Sequence, residues 1–382
     1  MSTEQTTTAD GGPKHTALYA EHEALGASFT DFGGWAMPLK YTSELDEHRA
    51  VRESAGLFDL SHMGEVRVVG PDAAVFLNTA LVGNLAKVAV GRAKYSMMCT
   101  ETGGIVDDLI SYRIEENEFL VVPNAGNRER VVAEFEARAE GFDVEIWDET
   151  EGIALVAVQG PNSQAIISSL VRQDEVTIVE NTPYYAADTV TIGGDQVLLA
   201  RTGYTGEDGF ELYIPEDRAG ALWRALVAGG ADHGLTPCGL ACRDSLRLEA
   251  GMPLYGNELT EQTTPFEAAI PLVALSKEED FVGRAALEQA KADGLGKTSG
   301  RRLVGLKGLG RRAGRAGYPV MLDGAEVGVV TSGQPSPTLG HPIAMAYVDV
   351  AHTEPGTALD IDLRGKPQPF EVVALPFYRR EK

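Results

Sequence analysis

Two adjacent carboxylates, Asp107 and Asp108, follow a glycine pair in Gly103-Gly104-Ile105-Val106-Asp107-Asp108-Leu109-Ile110-Ser111-Tyr112-Arg113. A carboxylate in apolar surroundings can stabilise a developing positive charge, orient a nitrogen or accept a proton. The glycines permit a tight turn at φ > 0, and the β-branched and aromatic residues after them read as a strand leaving it. Adjacent strand residues face opposite sides of a sheet, so one aspartate is expected in water and the other partly enclosed. A turn aspartate that caps a backbone amide is the alternative reading.

A second stretch, Thr202-Gly203-Tyr204-Thr205-Gly206-Glu207-Asp208-Gly209-Phe210-Glu211, packs three glycines around Tyr204 and runs into a strand that carries Glu211. Such a loop brings backbone close to something flat. It holds neither a GxGxxG fingerprint nor a phosphate-loop lysine. Further on, Arg243, Asp244 and Arg247 share a helical run. A charged face of that kind is ordinarily solvated, but an arginine flanked by glycines and leucines reads as half buried. Asn124 follows a strand and precedes a helix, the position of an N-cap. His62 reads as a buried, hydrogen-bonded histidine ahead of a catalytic one. Cys238 and Cys242 stand four apart with no histidine or third cysteine nearby in the sequence. They read as small buried thiols, and no metal is expected.

These residues need a scaffold. Helical spacing marks Thr16–Gly26, Ser43–Gly56, Pro71–Ala80, Arg128–Ala139, Asn162–Val171 and Ala219–Gly229. Strands are expected at Ala27–Phe32, Leu57–Met63, Glu118–Pro123 and Ile153–Pro161, with Gly91–Met98 and the aspartate run forming a hairpin through Thr100–Gly104. The strand-pair-then-helix order occurs twice, which describes an α+β domain with internal pseudo-repetition. Ala290–Gly300 is a Gly/Lys-rich connection. Beyond it short strands recur at Leu303–Leu306, Pro319–Leu322, Val327–Thr331, Ala344–Val348 and Ala358–Leu363, with turns at Leu322-Asp323-Gly324 and Arg364-Gly365-Lys366. That spacing indicates a small β-barrel or sandwich. The division expected is therefore a disordered lead-in over 1–14, a main domain over 15–289, as one body or two subdomains, and a barrel over 301–382.

Bulk composition narrows the function classes. The chain has 382 residues, 56 acidic against 33 basic, and a net charge of −23. That charge repels phosphate backbones and argues against nucleic acid and anionic membranes as partners. No apolar run approaches the ~20 residues needed to span a bilayer. Three cysteines are too few for a disulfide framework, and with the polar, Thr-rich first twelve residues they favour a cytoplasmic protein.

Seven motifs together resemble one family. They are Phe32-Gly33-Gly34-Trp35-Ala36-Met37-Pro38, Phe58-Asp59-Leu60-Ser61-His62-Met63, Gly103 to Leu109, Val158-Gln159-Gly160-Pro161, Thr202 to Glu207, Arg243 to Gly251, and Thr331-Ser332-Gly333 with Ser336-Pro337. In this order, from about Thr16 to Tyr378, the chain is similar to the T protein of the glycine cleavage system, an aminomethyltransferase. The resemblance implies a tetrahydrofolate-binding domain with ferredoxin-like β-α-β halves and a small C-terminal barrel. It implies transfer of the one-carbon unit from the lipoyl arm of the carrier (H) protein to tetrahydrofolate, as the methylene form, with release of ammonia. It assigns the catalytic carboxylate to Asp108, the pterin edge to Glu211, and the folate surroundings to Arg243, Tyr95, Asn124, Tyr204 and, more distantly, Tyr378. A folate-dependent demethylase module of the same fold would need a flavin domain, and no dinucleotide fingerprint is present. A non-enzymatic folate-binding or cluster-assembly factor of the same fold is the other rival; retention of Asp108, Glu211 and Arg243 speaks against it. An acidic protein must meet its carrier through a local basic patch, for which Arg301, Arg302, Lys307, Arg311 and Arg312 are the candidates.

Overall fold

The computed structural model describes residues 12–380. The chain forms two compact units: the first holds the residues through Ala73, Val88–Lys94 and Ile110–Asp244; the second holds Ala74–Lys87, Tyr95–Leu109 and the residues from Ser245 on. The expected lead-in lies outside the described residues as far as residue 11. Lys14, its last residue, donates its N–H to the Gly34 carbonyl at 2.7 Å.

In the first unit, a six-stranded sheet runs in the order Ala187–Ile192, Asp195–Ala200, Gly209–Pro215, Ile153–Gln159, Ala55–Asp59, Leu235–Pro237. All pairs are antiparallel except the last, which is parallel. Phe210, Leu212 and Ile214 alternate into a core with Leu57, Val156 and Val158, where Ile166 and Ile167 of one helix and Leu222, Trp223 and Leu226 of another cover them. Burying each such side chain contributes about 1.5–3 kcal/mol. The period of two sends Glu211 and Tyr213 to the opposite face. A second set of antiparallel strands pairs Ile110–Glu115 with Glu118–Val122, then with Val66–Val69, then with Glu145–Asp148. The glycine pair after Phe32 makes a turn as expected, but Trp35–Lys40 continues as a strand paired back on Ser28–Phe32. The left-handed φ of Gly33 and Gly34 suits that two-residue hairpin.

In the second unit, Ala93–Cys99 and Ile105–Glu115 neighbour each other across the expected turn, the first two residues of one and the last six of the other lying in the first unit. A closed barrel follows, in the order Arg301–Gly308, Pro342–Asp349, Ala325–Pro335, Pro319–Leu322, Ala358–Asp362, Pro367–Val373. Five barrel strands were expected and six are present. Both expected turns are made by residue pairs at positive φ, Asp323-Gly324 and Arg364-Gly365, which is the geometry whose twist matches a hairpin. The α+β class with a C-terminal barrel is as the sequence indicated.

The charged residues of the helix Leu240–Glu249 divide: Asp244 is exposed, Arg243 is half-buried as the second reading has it, and Arg247 is buried. Arg247, 1% exposed, pairs with Glu258 at 3.0 Å and donates to the Ser332 hydroxyl at 2.8 Å. Leu248 packs beside Leu303, Ile343, Met345 and Tyr347 of the barrel strands. The correction has a simple cause: a helix end covered by another layer has no solvated face.

Candidate active site

Glu211 of the first unit stands on the sheet face opposite the helices, half-buried. Its Oε2 accepts from the Thr202 hydroxyl and lies 3.3 Å from the oxygen of the Tyr112 phenol. Tyr112 and Thr202 are themselves 2.8 Å apart, and Tyr213 donates to Tyr112 at 3.4 Å. The loop that supplies Thr202 is folded around one carboxamide. Gln159 donates to the Thr202 carbonyl at 3.0 Å and accepts from the Thr205 hydroxyl at 2.9 Å. A Cβ at Gly203 would stand 2.0 Å from Gln159 Oε1, and one at Gly209 2.4 Å from Nε2, so both positions require glycine. Arg52 locks the far end of the loop, donating at 2.8 Å to both the Thr205 carbonyl and Glu207. Their side chains are 7% and 5% exposed, so removing either leaves a charge stranded away from water.

Arg243 places its guanidinium 5.0 Å from the centroid of Tyr204. Burial pushes its pKa below the usual arginine range, while Glu211 and Tyr204 pull it back. Arg243, Tyr204 and Glu211 thus form one charged and aromatic group. Asn124 lies half-buried at the start of the turn Ala125–Asn127 and makes no side-chain cap, so the expected capping role is not the one it has. His62 is 3% exposed with its edge against Phe32, centroids 5.5 Å apart. Its Nδ1 has no hydrogen-bond partner among the described residues. The expectation of a buried histidine holds, and that of a hydrogen-bonded one does not at this atom.

In the second unit, Asp108 is half-buried and its Oδ2 accepts from the Tyr95 phenol at 2.8 Å. Asp107 is wholly buried, which overturns the expectation that one of the pair is in water. Alternation puts Asp107 on the side of Ile105, and Ile105 lies in a cluster with Leu259, Ala268, Phe281 and Leu287, so that face is covered. The turn before them is clamped. A Cβ at Gly104 would meet the Glu261 carbonyl oxygen at 1.9 Å, and Ile105 N–H donates to the carbonyls of Thr260 and Thr263, both at 3.1 Å. Tyr378 is half-buried, and its N–H donates to the Glu249 carbonyl at 2.8 Å.

The GCVT N-terminal domain family matches residues 18–277, and the glycine cleavage T-protein C-terminal barrel domain family matches residues 301–379. The chain belongs to the glycine cleavage T-protein family. It is 57% identical over 376 residues to the aminomethyltransferase of Streptomyces avermitilis, covering 98% of this chain and 100% of that one. With the aminomethyltransferase of Corynebacterium aurimucosum it shares 55% over 369 residues, 96% of this chain and 99% of that one. It also matches the crystal structure of glycine cleavage system aminomethyltransferase T from Bartonella henselae, with TM-score 0.87 and 39% identity over 97% of this chain and 99% of that one.

Within this T-protein chain the sequence placed Gln159 and Thr202 in motifs without giving them a role, and it did not single out Tyr112 or Tyr213. One signal was available: period-two alternation along the strand Ile105–Glu115 puts Asp108, Ile110 and Tyr112 on one face. Cys238 and Cys242 do meet a third group, Glu47, with ligand atoms within 4.8 Å of one another. The Glu47 carboxylate, however, accepts from the N–H groups of Tyr41, Thr42 and Gly239 at 2.7, 2.9 and 2.9 Å. Burial pushes the Cys242 thiol well up, away from the thiolate a metal requires. The cluster therefore works as a backbone staple. Among the described residues no helix is long and apolar enough to cross a membrane.

His62 gives a pH prediction. Burial, with the Arg243 charge and against the pull of Asp59, pushes its imidazole from 6.5 down to about 4. As pH falls below 6.5 the unfolded chain takes up this proton first, so stability is full above that value and is lost on the way down to 4. His62→Gln is expected to remove about 2 kcal/mol of the stability lost between pH 7 and pH 5. Denaturant titrations of both proteins at the two pH values check this. Equal losses in the two would contradict it.

Proposed function

We propose that the chain moves an aminomethyl-derived one-carbon unit from the lipoyl arm of a carrier protein to tetrahydrofolate, releasing ammonia. Membership of an enzyme family whose relatives are aminomethyltransferases sets the reaction class. The single observation that carries the residue assignment is the Tyr95–Asp108 pair, an enclosed carboxylate steadied by a phenol. As the C–N bond breaks and ammonia leaves, positive charge develops on the carbon, and a fixed carboxylate in a poorly solvated place stabilises it. The carbon then bonds to the folate nitrogens as the carbon–sulfur bond breaks. The two N–H protons given up leave with the thiol and the ammonia.

In this reading Glu211 accepts from the donor edge of the pterin, and Arg243 and Tyr204 supply charge and a flat aromatic face beside it. Asn124, Tyr95 and Tyr378 complete the folate surroundings. Positioning two substrates carries most of the rate, which suits a site without a nucleophile.

The carrier is proposed to meet exposed Lys307, Arg311 and Arg312. Arg301 and Arg302 are less free for that role, since Arg301 pairs with Glu267 at 3.1 Å and Arg302 donates to the Gly296 carbonyl at 2.9 Å. Steady-state assays of methylenetetrahydrofolate formation with a lipoylated carrier test both parts. The unaltered protein is expected to turn over, and reversing the three exposed charges to Glu is expected to raise KM for carrier several-fold while leaving KM for folate unchanged. No turnover would sink the function, and an unchanged carrier KM would sink the patch.

A further inference from the structure

We propose that Thr202, Tyr112 and Tyr213 are positioning residues, a one-directional chain of hydroxyls that holds Oε2 of Glu211 and leaves Oε1 for a ligand edge rich in hydrogen-bond donors. The inference rests on the folate reading above and deepens it. Each hydroxyl has one proton to give. That of Thr202 goes to Glu211 Oε2, so Tyr112 is the donor towards both Thr202 at 2.8 Å and Oε2 at 3.3 Å, and its one proton goes to the nearer oxygen, that of Thr202. Tyr213 donates in turn to Tyr112. The order Tyr213 to Tyr112 to Thr202 to Glu211 then satisfies every oxygen only if the chain ends on an acceptor, which the carboxylate is.

Burial makes this order matter. Thr202, Tyr112 and Tyr213 are 3%, 0% and 4% exposed, and a reversed or broken chain would leave a buried hydroxyl unpaired. Both phenols are pushed well above their ordinary range by burial, with the Glu211 charge adding to it, so they stay protonated donors. Hydrogen bonds polarise one another along such a chain, and the terminal bond to a charged acceptor is the strong one. None of the described hydrogen bonds reaches Oε1. A carboxylate kept only for folding would spread its partners over both oxygens, as Glu47 does with three backbone amides.

The ligand edge this suits has an N–H or NH₂ donor in the plane of the free oxygen, as an aminopyrimidinone ring does. Gln159 holds the Thr202 carbonyl at 3.0 Å, tying the loop to the strand Ile153–Gln159 that pairs with the strand of Glu211.

The test uses the full-length protein and tetrahydrofolate. Thr202→Val keeps the shape and removes the hydroxyl. Calorimetric Kd and steady-state KM for tetrahydrofolate are expected to rise about 10- to 100-fold, the worth of a hydrogen bond to a charged group, with kcat at saturation changed little. Thr202→Ser is expected to restore most of the affinity, which a loss of packing alone would not allow. Should the valine variant fail to fold, Tyr112→Phe, which removes the phenol that touches both Thr202 and Glu211, is read by the same Kd and KM. Wild-type Kd in a folded Thr202→Val or Tyr112→Phe variant, or a serine variant as weak as the valine one, overturns the inference alone. Absence of folate binding by the unaltered protein overturns the folate reading first and the inference with it.

Discussion

Asp108→Asn is expected to lower turnover by about 10²- to 10⁴-fold while folding and folate affinity stay close to those of the unaltered protein. The substitution keeps the size of the side chain and an oxygen that can accept from the Tyr95 phenol, now 2.8 Å away. It removes the charge and turns the second oxygen into an NH₂ donor. Since Asp108 is half-buried, the asparagine meets no desolvation penalty that would unfold the hairpin. Single-turnover assays with loaded carrier, alongside a denaturant titration, separate the two effects. Retention of most of the turnover would remove Asp108 from the chemistry. Asp107→Asn is a less clean control than its position suggests, because Asp107 is wholly buried and its replacement tests folding as much as function.

Arg247→Ala is expected to cost the second unit about 3–5 kcal/mol, the range for stripping one partner from a buried ion pair. The change strands Glu258, 0% exposed, and takes a donor from the Ser332 hydroxyl. Met252 loses a partner for its carbonyl as well. Converting both charges at once, Arg247→Met with Glu258→Leu, is expected to be much milder, because no buried charge is then left unpaired. Chemical denaturation of the single and double variants decides the matter. A single variant within about 1 kcal/mol of the unaltered protein would contradict the account of this helix end.

Much of this molecule was legible because its turns carry their own chemistry. Gly33-Gly34, Gly103-Gly104, Asp323-Gly324 and Arg364-Gly365 all sit where a hairpin turns. The strand after the last of these is absent from the sequence expectation, and its Pro367 and Pro369 are residues that obscure a ladder. Both prolines pair only with Ala358–Asp362, and the register with Arg301–Gly308 begins at Phe370, so neither missing N–H is called on by a second neighbour. The hairpin Ala187–Ile192 with Asp195–Ala200 was readable: Gly193-Gly194, both at positive φ, follows the β-branched run Thr189-Val190-Thr191-Ile192 and precedes the apolar Val197-Leu198-Leu199.

The site divides in the same way. A carboxylate on a strand after a glycine-rich loop is visible in sequence, and so are Asp108, Arg243 and Tyr204. The hydroxyls behind Glu211 are not. Tyr112 lies 99 positions from Glu211 and 90 from Thr202, so no local spacing joins them, and threonine and tyrosine are common enough to pass for ordinary residues facing water. Asp107 failed for a related reason, since alternation fixes the face of a strand but not what covers that face. Tertiary cover is the information a single sequence lacks.

Titration of tetrahydrofolate into the unaltered protein and into Glu211→Gln, followed by heat, tests the central claim most directly. The account predicts saturable one-site binding by the unaltered protein and at least about tenfold weaker binding by the variant, whose amide offers the pterin edge a donor where it needs an acceptor. No saturable binding by the unaltered protein, or equal affinity in the two, would contradict it.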